Sequence, residues 1–237
     1  MIPMSATTPH PVSALQSFAP LEILKRGLAA AAGPVKLACS FSVEDVVVID
    51  LAFQAQLDIG VFALDTGRLN AETYEVADAV RARYGVSIDW YFPEREAVER
   101  LAREKGLFSF RESLDNRHEC CRIRKVAPLG RALAGLAGWI TGLRREQNVT
   151  RTRLAPLETD AAHGGIVKIN PLIAWSEAEV WAYAEGNRIP LNRLHRQGYP
   201  SIGCAPCTRA VQPGEHPRSG RWWWEDPEHK ECGLHRR

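Results

Sequence analysis

The 237-residue chain has no apolar run approaching the ~20 residues that cross a bilayer. Its opening stretch, MIPMSATTPHPVSALQSFAP, has neither a basic n-region nor a continuous apolar h-region. A secretory signal is therefore not read, and a cytoplasmic protein without a membrane partner is expected. Both glycine-based nucleotide fingerprints are missing, since neither GxxxxGK(S/T) nor GxGxxG occurs. Internal repeats and low-complexity tracts are missing too. A strong charge of either sign is also lacking, because 30 Lys and Arg against 28 Asp and Glu leave a net +2. What charge there is lies unevenly: arginine crowds into 117–153 and 193–237 among cysteines and glycines. That placement suits an anionic ligand better than a general polyanion surface, with a nucleic-acid face as the alternative.

What is present is ordinary globular composition, 45% hydrophobic and 24% charged, in a length that suits one large domain with a tail. Residues 1–20, rich in Pro, Ser and Thr, read as a mobile lead-in, 21–210 as the folded body and 211–237 as a C-terminal tail. Within the body, VKLACS, IGVFALD, VSIDWYF and GWITG read as strands. Between them LEILKRGLAAAA, SVEDVVVIDLAFQ, NAETYEVADAVRARYG, EREAVERLAREKG and the stretch from Glu119 to Leu133 read as helices. From about residue 170 onward the pattern gives one helix, SEAEVWAYAEGN, and then mostly loop. Strands alternating with helices of this length predict an α/β fold: an open, mostly parallel sheet with helices on both faces.

Ligands of such sheets sit at the carboxyl ends of the strands, so the segments after each strand matter most. SFSVED (Ser40 to Asp45) offers hydroxyls and a helix N-terminus, with Ser42 as a candidate N-cap. LDTGR holds Asp65, Thr66, Gly67 and Arg68, and reads as a tight Asx-type turn or a loop edge against a nucleotide. TGLRREQ places Arg144 and Arg145 beyond a strand end, as a solvated pair or a phosphate site.

The cysteines give a sharper signal. CCRIRK supplies Cys120 and Cys121, and GCAPC supplies Cys204 and Cys207. Four thiolates make a full ligand set for zinc or an iron–sulfur cluster. A vicinal disulfide with a redox Cys-x-x-Cys, or four unrelated thiols, are the competing readings. Adjacent helical side chains diverge by about 100°, which fits two irons of a 4Fe-4S cluster better than one zinc. Lys125, four residues after Cys121, can share its helix face. Cys39 lies in an apolar strand and reads as core. Cys232, near the end of the tail, has His229, Lys230, His235 and two arginines around it; cationic neighbours favour the thiolate.

Taken together, SFSVEDVV, LDTGR, CCRIRKVAPL, TGLRREQ, GCAPCTR and ECGLH resemble the assimilatory adenylyl-sulfate (APS) reductases of bacteria, relatives of the PAPS reductases. The resemblance runs from about residue 35 to the end. It implies an adenine-nucleotide α-hydrolase-like sheet with APS at its carboxyl edge and a 4Fe-4S cluster on Cys120, Cys121, Cys204 and Cys207. Ser40 and Ser42 would face the phosphosulfate, and Asp65, Thr66, Gly67 and Arg68 would lie beside the nucleotide. Arg144, with Arg145, would belong to the anion pocket. Lys125, Arg218, Arg221 and His235 would complete a cationic lid. The first loop departs from the family in having only Val43 between Ser42 and Glu44, where an extra small residue is frequent.

By the same resemblance, Cys232 would attack the sulfur of APS, AMP would leave, and an S-sulfocysteine would await reduced thioredoxin or glutaredoxin. With no thioredoxin-like stretch in the chain, the reductant is expected to be a separate protein. A homo-oligomer is expected as well. PAPS in place of APS, a PP-loop ATP pyrophosphatase or thiolation enzyme, and a zinc-stabilised nucleic-acid-binding module are the alternatives. SFSVED lacks the glycines of the SGGxDS loop that the second requires, and the third leaves Cys232 without a role. Of Trp222, Trp223 and Trp224, at least one is expected at the surface, since three adjacent indoles cannot face one side.

Overall fold

The computed structural model describes residues 19–147, 151 and 153–226. Six strands form one sheet: β1 Val35–Cys39, β2 Gly60–Leu64, β3 Ile88–Tyr91, β4 Gly138–Ile140, β5 Leu157–Asp160 and β6 Ile166–Ile169. Their order is β3-β2-β1-β4-β6-β5. Every neighbouring pair is parallel except β5 with β6, which is antiparallel. The four expected strands are found in place, and the β5–β6 hairpin adds an edge that the sequence pattern did not disclose.

Seven α-helices accompany them among the described residues: α1 Pro20–Ala30, α2 Val43–Gln54, α3 Ala71–Tyr84, α4 Arg95–Lys105, α5 Leu114–Cys121, α6 Ala127–Leu133 and α7 Glu177–Gly186. Alternation along the strands sorts side chains to two faces. Leu37, Cys39, Val61 and Ala63 pack into the main core with α1, α2, α3 and α7. Phe62 and Trp139 face the other way, against Leu129, Ala132 and Leu133 of α6.

Helix α2 is instructive, because its Val46-Val47-Val48-Ile49 run is a poor helix former by propensity. All four side chains are at most 2% exposed, so burial decides. Helix α3 stops at Gly85, whose φ of +67° is the left-handed C-terminal conformation that glycine adopts without steric cost. Helix α7 begins with a reciprocal capping box between Ser176 and Glu179.

Between α5 and α6, residues Arg122–Val126 form a π-helical turn. The expected Glu119–Leu133 helix therefore starts earlier, at Leu114, and is widened by one turn directly after the cysteine pair. Such turns displace the following side chains relative to an α-helical register.

β1 has β2 on one side and β4 on the other. The chain runs outward through β2 and β3 and then returns to the opposite side of β1. That reversal opens a crevice between the carboxyl ends of β1 and β4, where α/β sheets place ligands.

Candidate active site

The loop after β1 forms one wall of the crevice. Ser40 donates from its backbone N–H and its hydroxyl to Asp45 Oδ2, both at 2.7 Å. Burial pushes the Asp45 carboxyl up to about 6, opposed by these bonds and by one from Ser42. Ser42 occupies the N-cap position of α2, but its side chain caps no helix amide. Phe41 between them has φ +59° and is 3% exposed against Trp90. A buried aromatic in the left-handed region is strained and persists only where its surroundings hold it. The loop after β4 forms the facing wall. Gly142 lets the walls meet, since a Cβ there would overlap Asp45 Oδ1 and stand 2.9 Å from Glu44 Cβ.

Between the walls lies a cavity of about 370 Å³, the size of a small-molecule site. Arg144 and Glu44 are buried in it, with Glu44 Oε1 accepting from Arg144 Nε at 3.1 Å, Arg144 Nη2 at 3.0 Å and Gln147 Nε2 at 2.8 Å. Arg144 is thus held rigidly, yet its buried Nη1 has no hydrogen-bond partner. Ser40, Ser42, Thr66, Lys125, Arg218 and Arg221 also line this cavity. Arg145 does not, because its Nε is turned to the Leu154 carbonyl at 3.1 Å.

Three cavity residues escaped the sequence reading. Arg151 lines it and donates to Gln147 Oε1. Trp181 meets the ring of His195 edge-on at 5.2 Å. His195 Nδ1 lies 2.8 Å from the Tyr199 carbonyl, which only accepts, so this nitrogen carries the proton. Burial pushes the imidazole pKa down, and Nε2 is buried without a partner. The ring therefore offers a lone pair to a ligand N–H.

A second, much smaller chamber adjoins the first. Cys120, Cys121, Cys204 and Cys207 line it, each 8–9% exposed and none in a disulfide. The LDTGR loop is built into this chamber. Thr66 Oγ1 is 3.3 Å from Cys204 Sγ, and the Ala205 amide donates to the Arg68 carbonyl at 2.8 Å. Arg124 Nη1 donates to the Thr66 carbonyl at 2.6 Å. Arg68 lies over Phe110 at 5.0 Å and faces the cysteines. Asp65 serves the turn, accepting from the Gly67 amide at 2.7 Å and from Tyr74 at 2.9 Å. Of the four LDTGR positions expected beside a nucleotide, Thr66 alone lines the large cavity.

The chemistry of the chamber can be tested against a metal group. Arg68 Nη1, Arg124 Nε, Arg221 Nε and Trp222 Nε1 are all buried without a hydrogen-bond partner, and all four residues line the chamber. Orphaned buried donors are costly, so this set calls for an anionic acceptor with several faces. Four thiols among four such donors fit an iron–sulfur cluster in donor type and charge. Among the described residues, no three His, Cys, Asp or Glu side chains are drawn together as ligands of one metal ion. The void between these side chains measures about 20 Å³. Burial and the neighbouring Cys204 push the Cys207 thiol up to about 12, with Lys125 and Arg221 opposing. Lys125, Cys204, Arg221 and Trp222 belong to both cavities and form their common wall. Cys39, 4% exposed, is in the main core. Cys232 and His235 lie outside the described residues.

Comparison with known proteins gives the family. Residues 34–210 match the phosphoadenosine phosphosulfate reductase domain. An adenosine 5'-phosphosulfate reductase of Burkholderia cepacia is 53% identical over 85% of this chain and 80% of its own length. One from Allochromatium vinosum is 53% identical over 86% and 79%. A solved phosphoadenylyl-sulfate reductase from Candida auris, in complex with phosphate, superposes with a TM-score of 0.70 at 26% identity, covering 87% of this chain and 100% of that one. With the matched domain filling most of the chain, the protein belongs to the phosphoadenosine phosphosulfate reductase family.

Proposed function

We propose that this protein reduces adenylyl sulfate to sulfite and AMP through an S-sulfocysteine on Cys232, with reduced thioredoxin as a separate electron donor. The observation that carries the reading is the common wall: an anion-seeking nucleotide-sized cavity and a four-cysteine chamber share Lys125, Cys204, Arg221 and Trp222. The names of the relatives at 53% identity support adenylyl sulfate over its 3'-phosphorylated form. In this reading the α/β body extends to about residue 210 and the tail carries the nucleophile.

The substrate's phosphosulfate lies along Arg144, Lys125, Arg218 and Arg221, whose charge stabilises the oxygens as the transition state forms. Ser40 and Ser42 stand on the opposite wall, and their hydroxyls reach the substrate oxygens by turning from Asp45 to the anion. His195 Nε2 accepts an N–H of the base. The Cys232 thiolate then attacks sulfur in line, the bond from sulfur to the phosphate oxygen breaks, and AMP leaves with the electron pair. A 4Fe-4S cluster on Cys120, Cys121, Cys204 and Cys207 would supply a fixed anionic group opposite the orphaned N–H donors. Arg124 and Lys125 are held at that chamber by the widened helical turn, so the chamber orders the wall that the substrate touches. The free state of the described cysteines is in keeping with a reducing, cytoplasmic setting.

Anaerobic purification followed by iron and sulfide analysis, with sulfite release assayed from both nucleotides, tests this reading. A brown protein that turns over adenylyl sulfate in strong preference is expected. A colourless zinc protein, or equal turnover of the 3'-phosphorylated nucleotide, would contradict it.

A further inference from the structure

The surface where the chain approaches its tail is unusual for a polar protein. Leu107, Phe108 and Trp223 are 60%, 57% and 37% exposed. They come from two distant segments, and Arg111 joins the aromatic members: its guanidinium lies 5.2 Å from the Phe108 ring and 5.6 Å from those of Phe110, Trp223 and Trp224. Arg111 Nη2 also donates to the Pro206 carbonyl, inside the Cys204–Cys207 loop, at 3.2 Å. Trp223 stands edge-on to Trp224 at 4.7 Å, and Trp224 packs on Phe110, which lines the cysteine chamber. The patch is therefore rigidly built on the chamber wall.

Trp222, 1% exposed, fills the interior between Arg117 and Arg221, both 4.7 Å from its ring. The next indole is 37% exposed, with the Arg111 cation 5.6 Å from its ring. Clustered exposed apolar groups with a central arginine are the composition of recognition surfaces.

We propose that this patch is the docking surface for the protein dithiol that discharges Cys232. The inference rests on the sulfocysteine reading and deepens it. Two observations choose the occupant. Cys232 lies six residues beyond Asp226, a span of at most about 20 Å of extended chain, so a protein acting on its sulfonate must sit close to where the described chain stops. Two exposed aromatic rings on one arginine, with exposed Leu107 next to Phe108 in the chain, also suit a transient encounter, well below the ~800 Å² per partner of a stable dimer. The partner's complementary face is apolar around its reactive cysteine, with an acidic rim for Arg111. In the step itself, one partner thiolate bonds to Cys232 Sγ, the bond from Sγ to the sulfonate breaks, and sulfite leaves with the pair. The second partner thiolate then displaces Cys232, which recovers its thiolate while the partner departs as a disulfide. Two electrons pass from dithiol to sulfur.

The experiment compares wild type with Phe108→Ser, Trp223→Ser and the double variant. Stoichiometric AMP release without reductant, sulfite release by dithiothreitol, and kcat/KM for purified thioredoxin are measured together with native mass. AMP release and the dithiothreitol rate are expected within twofold of wild type. The thioredoxin kcat/KM is expected to fall about tenfold per aromatic removed, through KM. An unchanged thioredoxin kcat/KM, or an equal loss with dithiothreitol, overturns the proposal. So does a native mass that halves in the variants, which makes the patch an interface between copies. A wild type that releases no AMP overturns the sulfocysteine reading and the docking surface with it. If the variants fail to fold, oxidative footprinting of wild type trapped as a mixed disulfide with single-cysteine thioredoxin decides. Protection of Trp223 and Phe108 is expected, and unaltered reactivity of both overturns the proposal.

Discussion

Arg117 and Glu225 form a bidentate ion pair inside the protein, with Nε to Oε1 at 2.9 Å and Nη2 to Oε2 at 2.8 Å. Arg117 is fully buried and the Glu225 side chain is 8% exposed. The pair joins α5, which ends in the two cysteines, to the last turn described before the tail. Burying two charges costs about as much as their attraction returns, whereas removing one partner strands the other. Arg117→Met or Glu225→Gln is therefore expected to destabilise by about 3–5 kcal/mol. Urea unfolding of the anaerobic protein measures this. A cost below ~1 kcal/mol would mean that the pair behaves as a surface bridge.

Two glycines are expected to separate the cavities functionally. A Cβ on Gly142 would overlap Asp45 and press on Glu44, while one on Gly203 would overlap the Arg221 guanidinium. Gly142→Ala is expected to weaken substrate binding about tenfold or more, the factor for ~1.4 kcal/mol, and to leave iron content unchanged. Gly203→Ala moves a residue of the common wall, so both substrate binding and iron content fall. Nucleotide titration and iron analysis of the two variants report this. Equal effects on both readouts in both variants would show that the cavities are not separable.

The sequence disclosed the frame of this site better than its contents. Strands β1 to β4 and the helices around them were legible because apolar alternation and glycine stops are local signals. The β5–β6 hairpin was missed: Leu157–Asp160 pairs in register with Ile166–Ile169 at a sheet edge, which no local pattern specifies. The π-turn at Arg122–Val126 was also invisible, since nothing in the local pattern RIRKV marks a widened turn. The cysteines were found by their pairing in the sequence. His195 and Arg151 come from irregular segments, and their importance appears only when Tyr199, Gln147 and Glu44 surround them. LDTGR reads as a tight Asx-type turn or a nucleotide-side loop, and the turn is there, with the Gly67 amide donating to Asp65 Oδ1. The ties of Thr66 and Arg68 to the Cys204–Cys207 loop join residues too far apart in the chain for a local pattern to show.

Asp45 sets a pH dependence. Its carboxyl moves from 3.8 to about 6 on folding, chiefly by burial, so between those values the folded protein holds a proton that the unfolded chain has released. Stability from this group is full below pH 3.8 and is lost as pH rises through about 6. The shift corresponds to ~3 kcal/mol at most. Asp45→Asn is expected to be more stable than wild type at pH 8, with the advantage shrinking toward pH 4. Urea midpoints at the two pH values check it, and a pH-independent difference would contradict it.

The most direct test of the central claim uses the untreated anaerobic protein and adenylyl sulfate, with no thioredoxin or other thiol present. Intact mass and peptide mapping follow the protein while AMP is counted. About one AMP per chain, as a single nucleophile requires, and a sulfonate located on Cys232 are predicted, with neither formed by Cys232→Ser. Absence of the AMP burst in wild type, or an adduct that survives in Cys232→Ser, would contradict the account.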